Sequence, residues 1–441
     1  MTNRFTPELA RALPGPAWLT ERRAAAAAAF GAARLPSESD EDWRYGRIDE
    51  LELDAFTPVF ATAGRAAPAD ATGALLAELG EPAAVVSTRD GFVVDVVLGD
   101  AARAAGLRCA PAASLERPPA RYGAVIGRAP DAFTHLAEAF GADAVVLSVP
   151  SGARIEEPIV VVHDLGEPGE RRAVFPRSFV SLGEGAQASV VELTTSSDAA
   201  LLSVPIAELD LAPGAHLAYH GIQLLGSGAW QLGYQVAQVA RDAELSSFSA
   251  ALGGDYARLV TRASLAGEGA ASHLLAVYLG DRTQVEDFRT FQEHLAPRTR
   301  SDLVFEGAVT DSARSVYSGL ITIAKGAVRA DASQTNRNLV LSEGARADSV
   351  PNLEIEENDV RCSHASAVGP IDAEQRFYLE SRGIPPEAAE RLILLGFFDD
   401  LLGRAPEPGC ARYLRGVVSA RLAGRAFAGN LATSGTGTAD R

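Results

Sequence analysis

From residue 143 to residue 369 the chain carries almost no helical periodicity. Short runs of Val, Leu, Ile, Phe and Tyr alternate with polar residues. This is the period-two pattern of strands, whose successive side chains project to opposite faces. Small turns punctuate the runs: Gly183-Glu184-Gly185, Pro213-Gly214, Asp242-Ala243-Glu244, Gly267-Glu268-Gly269, Lys325-Gly326 and Glu343-Gly344. The early turns recur at roughly 26–30 residues and the later ones lie closer together. A loose repeat of turn plus strands predicts a solenoid, which for strands is a β-helix. A sandwich would favour Asn-Gly or Asp-Gly hairpins, and this region has none.

Both ends read as helical. Residues 19–30 are Ala-rich, Pro36 stops that helix, and Ser37, Ser39 and Asp40 offer caps for a short segment carrying Trp43 and Tyr45. Residues 63–120 mix Ala-rich helix, a strand-like run at 92–98 and Pro-rich connectors, one of which holds Cys109. Asp131 is placed as an N-cap, with Phe133, Leu136, Ala137 and Phe140 at helical spacing and Gly141 at the C-terminal cap. After the strands, Asp372 caps a helix through Arg382, Gly383 ends it, and Pro385-Pro386 opens another to about Leu402. Ala389, Leu392, Ile393, Gly396 and Phe397 form the expected apolar stripe of that second helix. A further helix spans about 410–427, and the Gly/Thr/Ser-rich tail at 429–441 reads as disordered. The expected division is a helical and mixed region at 1–142, a β-helix at 143–369 and a helical domain at 370–428.

With 47% hydrophobic and 22% charged residues in 441, the composition is globular and large enough for several packed regions. The formal charge of −17 repels nucleic acid phosphates and anionic lipid, and suits a cationic partner or a solvated surface. Three cysteines (Cys109, Cys362 and Cys410) make no disulfide framework and point to a reducing cytoplasm. They also exclude a private four-cysteine cluster site. Residues 1–10 lack the apolar core of a signal peptide, and no apolar run reaches about 18 residues, so no membrane span is expected.

Catalytic signatures are missing. There is no P-loop, no H-E-x-x-H, no C-x-x-C and no G-x-S-x-G elbow. Gly183-x-Gly185-x-x-Ala188 imitates a dinucleotide fingerprint, but no crossover helix follows, so it reads as a solenoid corner. The segment with chemical character is Asp359-Val360-Arg361-Cys362-Ser363-His364. In an extended chain Cys362 and His364 project from one face. A thiolate beside an imidazole suits iron or zinc, though two ligands do not close a site. Val360 shares that face, so Cys362 reads equally as an apolar packing thiol. His135, His163, His216, His220, His273 and His294 read as structural or surface histidines. The acidic run at 354–359 reads as a solvated turn, and Trp43 and Tyr45 as packing anchors.

Several stretches resemble the SufB/SufD family. They begin at Asp40-Glu41-Asp42-Trp43-Arg44-Tyr45 and continue through Val149-Pro150-Ser151-Gly152 and Glu157-Pro158-Ile159. The strongest run is Ser333-Gln334-Thr335-Asn336-Arg337-Asn338-Leu339, followed by Ala345-Arg346-Ala347-Asp348 and Pro351-Asn352-Leu353-Glu354-Ile355. Asp359 to His364 and Phe377-Tyr378-Leu379 with Ser381-Arg382-Gly383-Ile384 complete it. Cys362-Ser363-His364 follows the SufD-like branch, since SufB-like chains carry a His-Glu pair there and are longer. Ala365-Ser366 departs from the commoner Gly-Ala.

The resemblance implies a right-handed parallel β-helix between helical ends and a non-catalytic scaffold for iron–sulfur cluster assembly. It implies pairing with SufB through the β-helix, and docking of a separate ATPase, SufC, on the C-terminal helices around Phe377, Tyr378, Arg382, Gly383 and Ile384. His364, with Cys362 as lesser candidate, would help hold a transient cluster at the SufB interface, with no cofactor held permanently by this chain. Two alternatives remain open: a β-helix enzyme acting on acidic polysaccharide, and a homodimer of the same family type binding metal or flavin.

Overall fold

The computed structural model describes residues 4–62, 70–128, 131–166 and 171–424. The expected tail at 429–441 and the last residues of the helix expected to reach 427 lie outside them. Two parallel sheets form the core. One runs from Val145–Val149 through Arg177–Leu182, Ile206–Leu211, Ala229–Val239, Tyr256–Leu265, Val285–His294 and Arg314–Ile323 to Arg346–Ile355. The other runs from Ile159–Leu165 through Gln187–Ser196, His216–Leu224, Glu244–Ala251, Ala271–Gly280, Arg300–Val309 and Asp331–Val340 to Arg361–Gly369. The chain alternates between the sheets and so winds a β-solenoid of about eight coils. The fold expected from the turn repeat is the fold found.

The turns stack along one corner. Gly152, Gly185, Gly214, Asp242, Gly269, Arg298 and Arg329 all take left-handed backbone, with φ between 55° and 74°. Each donates its N–H to a carbonyl of the next coil: Gly185 to Pro213, Gly214 to Arg241, Asp242 to Glu268, and so on to Arg329 and Asp359, at 2.5–3.1 Å. The corner therefore has its own hydrogen-bond ladder, which satisfies turn amides that a solenoid would otherwise leave bare. Gly183 is required for a different reason, since a Cβ there would lie 2.5 Å from the Ser151 amide nitrogen. The dinucleotide-like spacing at 183–188 is thus a close-packed corner.

Three apolar layers arise from strand alternation. Inward residues such as Leu209, Leu245, Leu274, Phe288 and Phe305 fill the bore. Outward residues of the first sheet, among them Ile206, Tyr234, Val260 and Val316, pack with Phe30, Phe133 and Phe140 of the helices Ala17–Ala32 and Ala132–Phe140. Asp131 caps the second of these through the Thr134 amide in a full capping box. Outward residues of the second sheet, including Phe248, Leu275 and Val277, pack under Phe398, Leu402, Leu414 and Val418 of the helices Pro386–Leu402 and Pro408–Ala423. The N-terminal region also joins the core directly. Ala84–Arg89 extends the second sheet in parallel beside Ile159–Leu165.

Three local expectations are corrected. The buried face of Pro386–Leu402 is Ala389, Leu394, Phe398, Leu401 and Leu402, while Leu392 is 48% exposed. The central run from Leu392 to Phe398 is apolar on every side of the helix, so pattern alone could not say which side meets the sheet. Cys109 lies in the strand Arg108–Pro111, paired antiparallel with Val145–Val149, and not in a connector. Trp43 is a buried anchor, but Tyr45 is 37% exposed and has φ +69°.

The box around Trp43 is a strap across the first sheet. The Arg258 guanidinium lies 3.9 Å from the Trp43 ring centroid and donates to the Asp42 carbonyl at 2.7 Å. Arg289 donates to the Arg44 carbonyl at 2.7 Å. Both arginines converge on Asp287, at 2.8 and 2.6 Å, and Tyr256 adds a third donor at 2.7 Å. Asp287 is completely buried. Burial alone pushes its carboxyl pKa up, but Arg258 and Arg289 outweigh it and hold the group below the ordinary range.

Candidate functional site at the open end of the solenoid

Cys362 and His364 lie on the last strand, Arg361–Gly369, and pair in register with Ala332 and Gln334. Gln334 and Ala332 face the bore and are 1% and 2% exposed. The same face of the last strand therefore turns into the bore, as the spacing of the two residues predicts. No further coil covers it among the described residues. Cys362 is half-buried and His364 is exposed.

The other terminal strand, Arg346–Ile355, shows the same change at its inward positions. Leu353 and Ile355 are 36% and 44% exposed, whereas their partners one coil back, Ile321 and Ile323, are fully buried. Val368 is 47% exposed above Asn338, which is 3% exposed. Among the described residues, both terminal strands hydrogen-bond to a neighbour on one side only. The end of the solenoid thus presents a mixed apolar and polar face between two long free strand edges, an arrangement that soluble proteins normally cover.

Below His364 the bore turns polar. Tyr317 donates to Gln334 Oε1 at 3.1 Å, so its single proton is used. Thr290 must then donate to the Tyr317 oxygen, also at 3.1 Å. Gln334 in turn donates to the Asn352 carbonyl at 3.3 Å. This chain fixes Gln334, and with it the floor on which His364 stands. Cys362 has a different floor: with Val360 it packs against Ile321, Ile323, Ala327, Ala330 and Ala332. Burial raises the thiol pKa, so at neutral pH Cys362 is a protonated thiol until a metal or cation meets it. Both readings of Cys362 are thus structurally sound, since it is packed below and open above.

Among the described residues no three His, Cys, Asp or Glu side chains form a metal site. Cys362 and His364 bring two donors of soft-to-borderline character, too few to close a metal site. All three cysteines are free. Cys410 is fully buried, and burial also pushes Cys109 up to about 12, which leaves neither as a ready ligand. Among the described residues no helix is long and apolar enough to cross a membrane.

A family model for the SUF system FeS cluster assembly SufBD core domain matches residues 165–397, more than half of the chain. The chain belongs to the SufBD family. It is 30% identical over 395 residues to the iron–sulfur cluster assembly protein SufD of Escherichia coli, covering 89% of this chain and 90% of that one. It is also 30% identical over 282 residues to SufD of Bacillus subtilis, with 63% of each chain covered. A SufBD family iron–sulfur cluster assembly protein of Mycobacterium tuberculosis is 32% identical over 310 residues, covering 65% of this chain and 73% of that one. This is an iron–sulfur cluster assembly protein of the SufD type.

The matched SufBD core includes the whole open end and reaches into Pro386–Leu402. The second residue group expected from the resemblance lies beyond the open end, on the helix Ala373–Ser381. That helix buries none of its residues. Phe377 and Tyr378 are 71% and 58% exposed, and the Arg382 guanidinium lies 5.3 Å from the Tyr378 ring centroid. Gly383 takes φ +85° and ends the helix, and Ile384 donates back to the Leu379 carbonyl at 3.3 Å.

Sequence reasoning missed the residues that define the opening: Leu353, Ile355, Val368 and the buried Gln334–Tyr317–Thr290 chain. Alternation placed the first three on strands, but only knowledge of the last coil shows that nothing among the described residues covers them. The polar chain had a weak signal, because Gln334 follows Leu274 and Leu303 at the same inward position and breaks that apolar run.

Proposed function

We propose that this SufBD family chain is a non-catalytic scaffold subunit that pairs with a SufB-type partner across the open end of its solenoid and shares a nascent iron–sulfur cluster there. One observation carries the reading: His364 and Cys362 stand on an uncovered bore face flanked by two unpaired strand edges. A partner that adds strands to these edges would bury Leu353, Ile355 and Val368 and bring the missing ligands to the same place. The cluster is cargo. A mixed thiolate and imidazole set binds it less permanently than four thiolates, which suits assembly and release.

The helix Ala373–Ser381, with Phe377 and Tyr378 outward and Arg382, Gly383 and Ile384 at its end, is the surface on which a SufC-type ATPase docks in this reading. Hydrolysis then belongs to that partner, in keeping with a sequence that has no P-loop. Three free cysteines fit a reducing cytoplasm. The free edges also suit a second copy of the chain when no partner is present, so a homodimer of the isolated protein is the companion reading.

The test is anaerobic co-expression with SufB-type and SufC-type proteins of one genome, followed by size analysis. A stable three-component complex that is lost with Leu353→Lys and Val368→Lys supports pairing across the open end. A complex that forms equally well with both charged variants contradicts it.

A further inference from the structure

Away from Cys362, lined from His163 on the first coil to Phe288 in the middle of the bore, lies a cavity of about 80 Å³. Its polar lining includes His163, Glu192, Tyr219, Gln231 and Ser249, with no lysine or arginine. The space arises from register. Glu192 pairs with Gly221, which pairs with Ser249, and all three occupy an inward column continued by Phe305. Gly221 supplies no side chain there, and a Cβ on it would meet only the Tyr219 ring, at 3.8 Å. The cavity is the volume that a larger residue at this position would fill.

Glu192 is 8% exposed and its two oxygens are treated differently. One lies 3.5 Å from His163 Nε2, and the Tyr219 hydroxyl hydrogen-bonds the same carboxyl group. His163 is itself held through Nδ1 to the Thr88 hydroxyl at 2.7 Å. The other oxygen, Oε1, is buried and has no protein partner. A buried carboxylate oxygen without a donor is costly, and native proteins rarely leave one so. An apolar cavity stays dry, but this one is lined by a carboxylate, an imidazole and amide and hydroxyl groups.

We propose that this cavity is a built hydration site, in which a cluster of ordered waters is anchored on Glu192 Oε1 and shared with His163, Gln231 and Ser249. The 80 Å³ exceeds the roughly 10–15 Å³ that a single water needs. The cluster supplies the donor that Oε1 lacks. It places water beside Glu192 and Ser249 in a bore that apolar side chains such as Leu274 and Phe305 otherwise fill.

The test uses the full chain, crystallised to a resolution that shows water, together with water-proton relaxation dispersion in solution. The expected result is density within hydrogen-bonding distance of Glu192 Oε1 and a relaxation signal from long-lived internal water. Glu192→Leu loses both, and Glu192→Gln, which keeps shape and an acceptor, retains them should the leucine variant not fold. An empty cavity, a relaxation signal unchanged by Glu192→Leu, or an anomalous peak at Glu192 after soaking in rubidium chloride overturns the proposal. The last outcome would make the site a cation site.

Discussion

His364 and Gln334 hold the same register position on adjacent coils, yet Gln334 is 1% exposed and His364 is open to solvent. The two strands are alike; they differ in that Gln334 has another coil stacked over it and His364, among the described residues, has none. Inward residues of the last coil should therefore behave as surface residues in the isolated chain and as core residues in the complex.

The pair Ile321 and Leu353 tests this in the isolated chain. Ile321→Ala removes a fully buried side chain and should cost about 2–5 kcal/mol in chemical denaturation. Leu353→Ala, one coil further out in the same column, should cost less than about 1 kcal/mol. Equal losses would contradict an open bore in the isolated monomer.

Asp287 is the shared acceptor of the strap. Asp287→Ala leaves Arg258 and Arg289 buried without their carboxylate, and should destabilise the chain by about 3–5 kcal/mol. Thermal unfolding of the single variant measures this. A change below about 1 kcal/mol would show that the Trp43 segment is held by apolar contact alone.

The coarse fold was legible because period-two alternation and recurring small turns are local signals. The helix caps at Asp131 and Asp372 were equally local, and both accept the expected backbone bonds. Cys362 and His364 were readable as a same-face pair for the same reason. What escaped was set by distant partners. The stripe of Pro386–Leu402 depends on the sheet beneath it, and the role of Asp42-Trp43-Arg44 depends on arginines more than 200 residues away. Corner residues Arg298 and Arg329 were also hidden, because nothing about an arginine side chain announces a left-handed backbone.

Those corners give a prediction of opposite signs. Gly185 has φ +65° and open space around its Cα, so Gly185→Ala should cost about 1 kcal/mol from backbone strain alone. Asp242→Gly, at the equivalent corner with φ +55°, should be neutral or stabilising by up to about 1 kcal/mol. Denaturation midpoints of the two variants decide it, and a loss in both would contradict the equivalence of the corners.

His220 ties the second sheet to the C-terminal helices by accepting the Glu407 amide at 3.1 Å through Nε2. Burial pushes its pKa down from 6.5 to about 4. The folded state therefore favours the neutral ring, and the unfolded chain binds the proton first. Stability from this site is full above pH 6.5 and is lost as the pH falls toward 4, by on the order of 1–3 kcal/mol. His294, pushed down to about 4 by its own burial, adds to the same slope. His220→Gln should flatten the pH dependence of stability between pH 6.5 and 4, and an unchanged slope would assign it elsewhere.

The most direct measurement is the cluster content of the anaerobic three-component complex, read as iron, sulfide and visible absorbance per complex, for the parent and for His364→Ala. Assembly at the open end predicts an intact complex of unchanged size whose cluster content falls at least tenfold with His364→Ala, and less with Cys362→Ala. Parent-level cluster in the His364→Ala complex would contradict the placement of the assembly site at the open end of the solenoid.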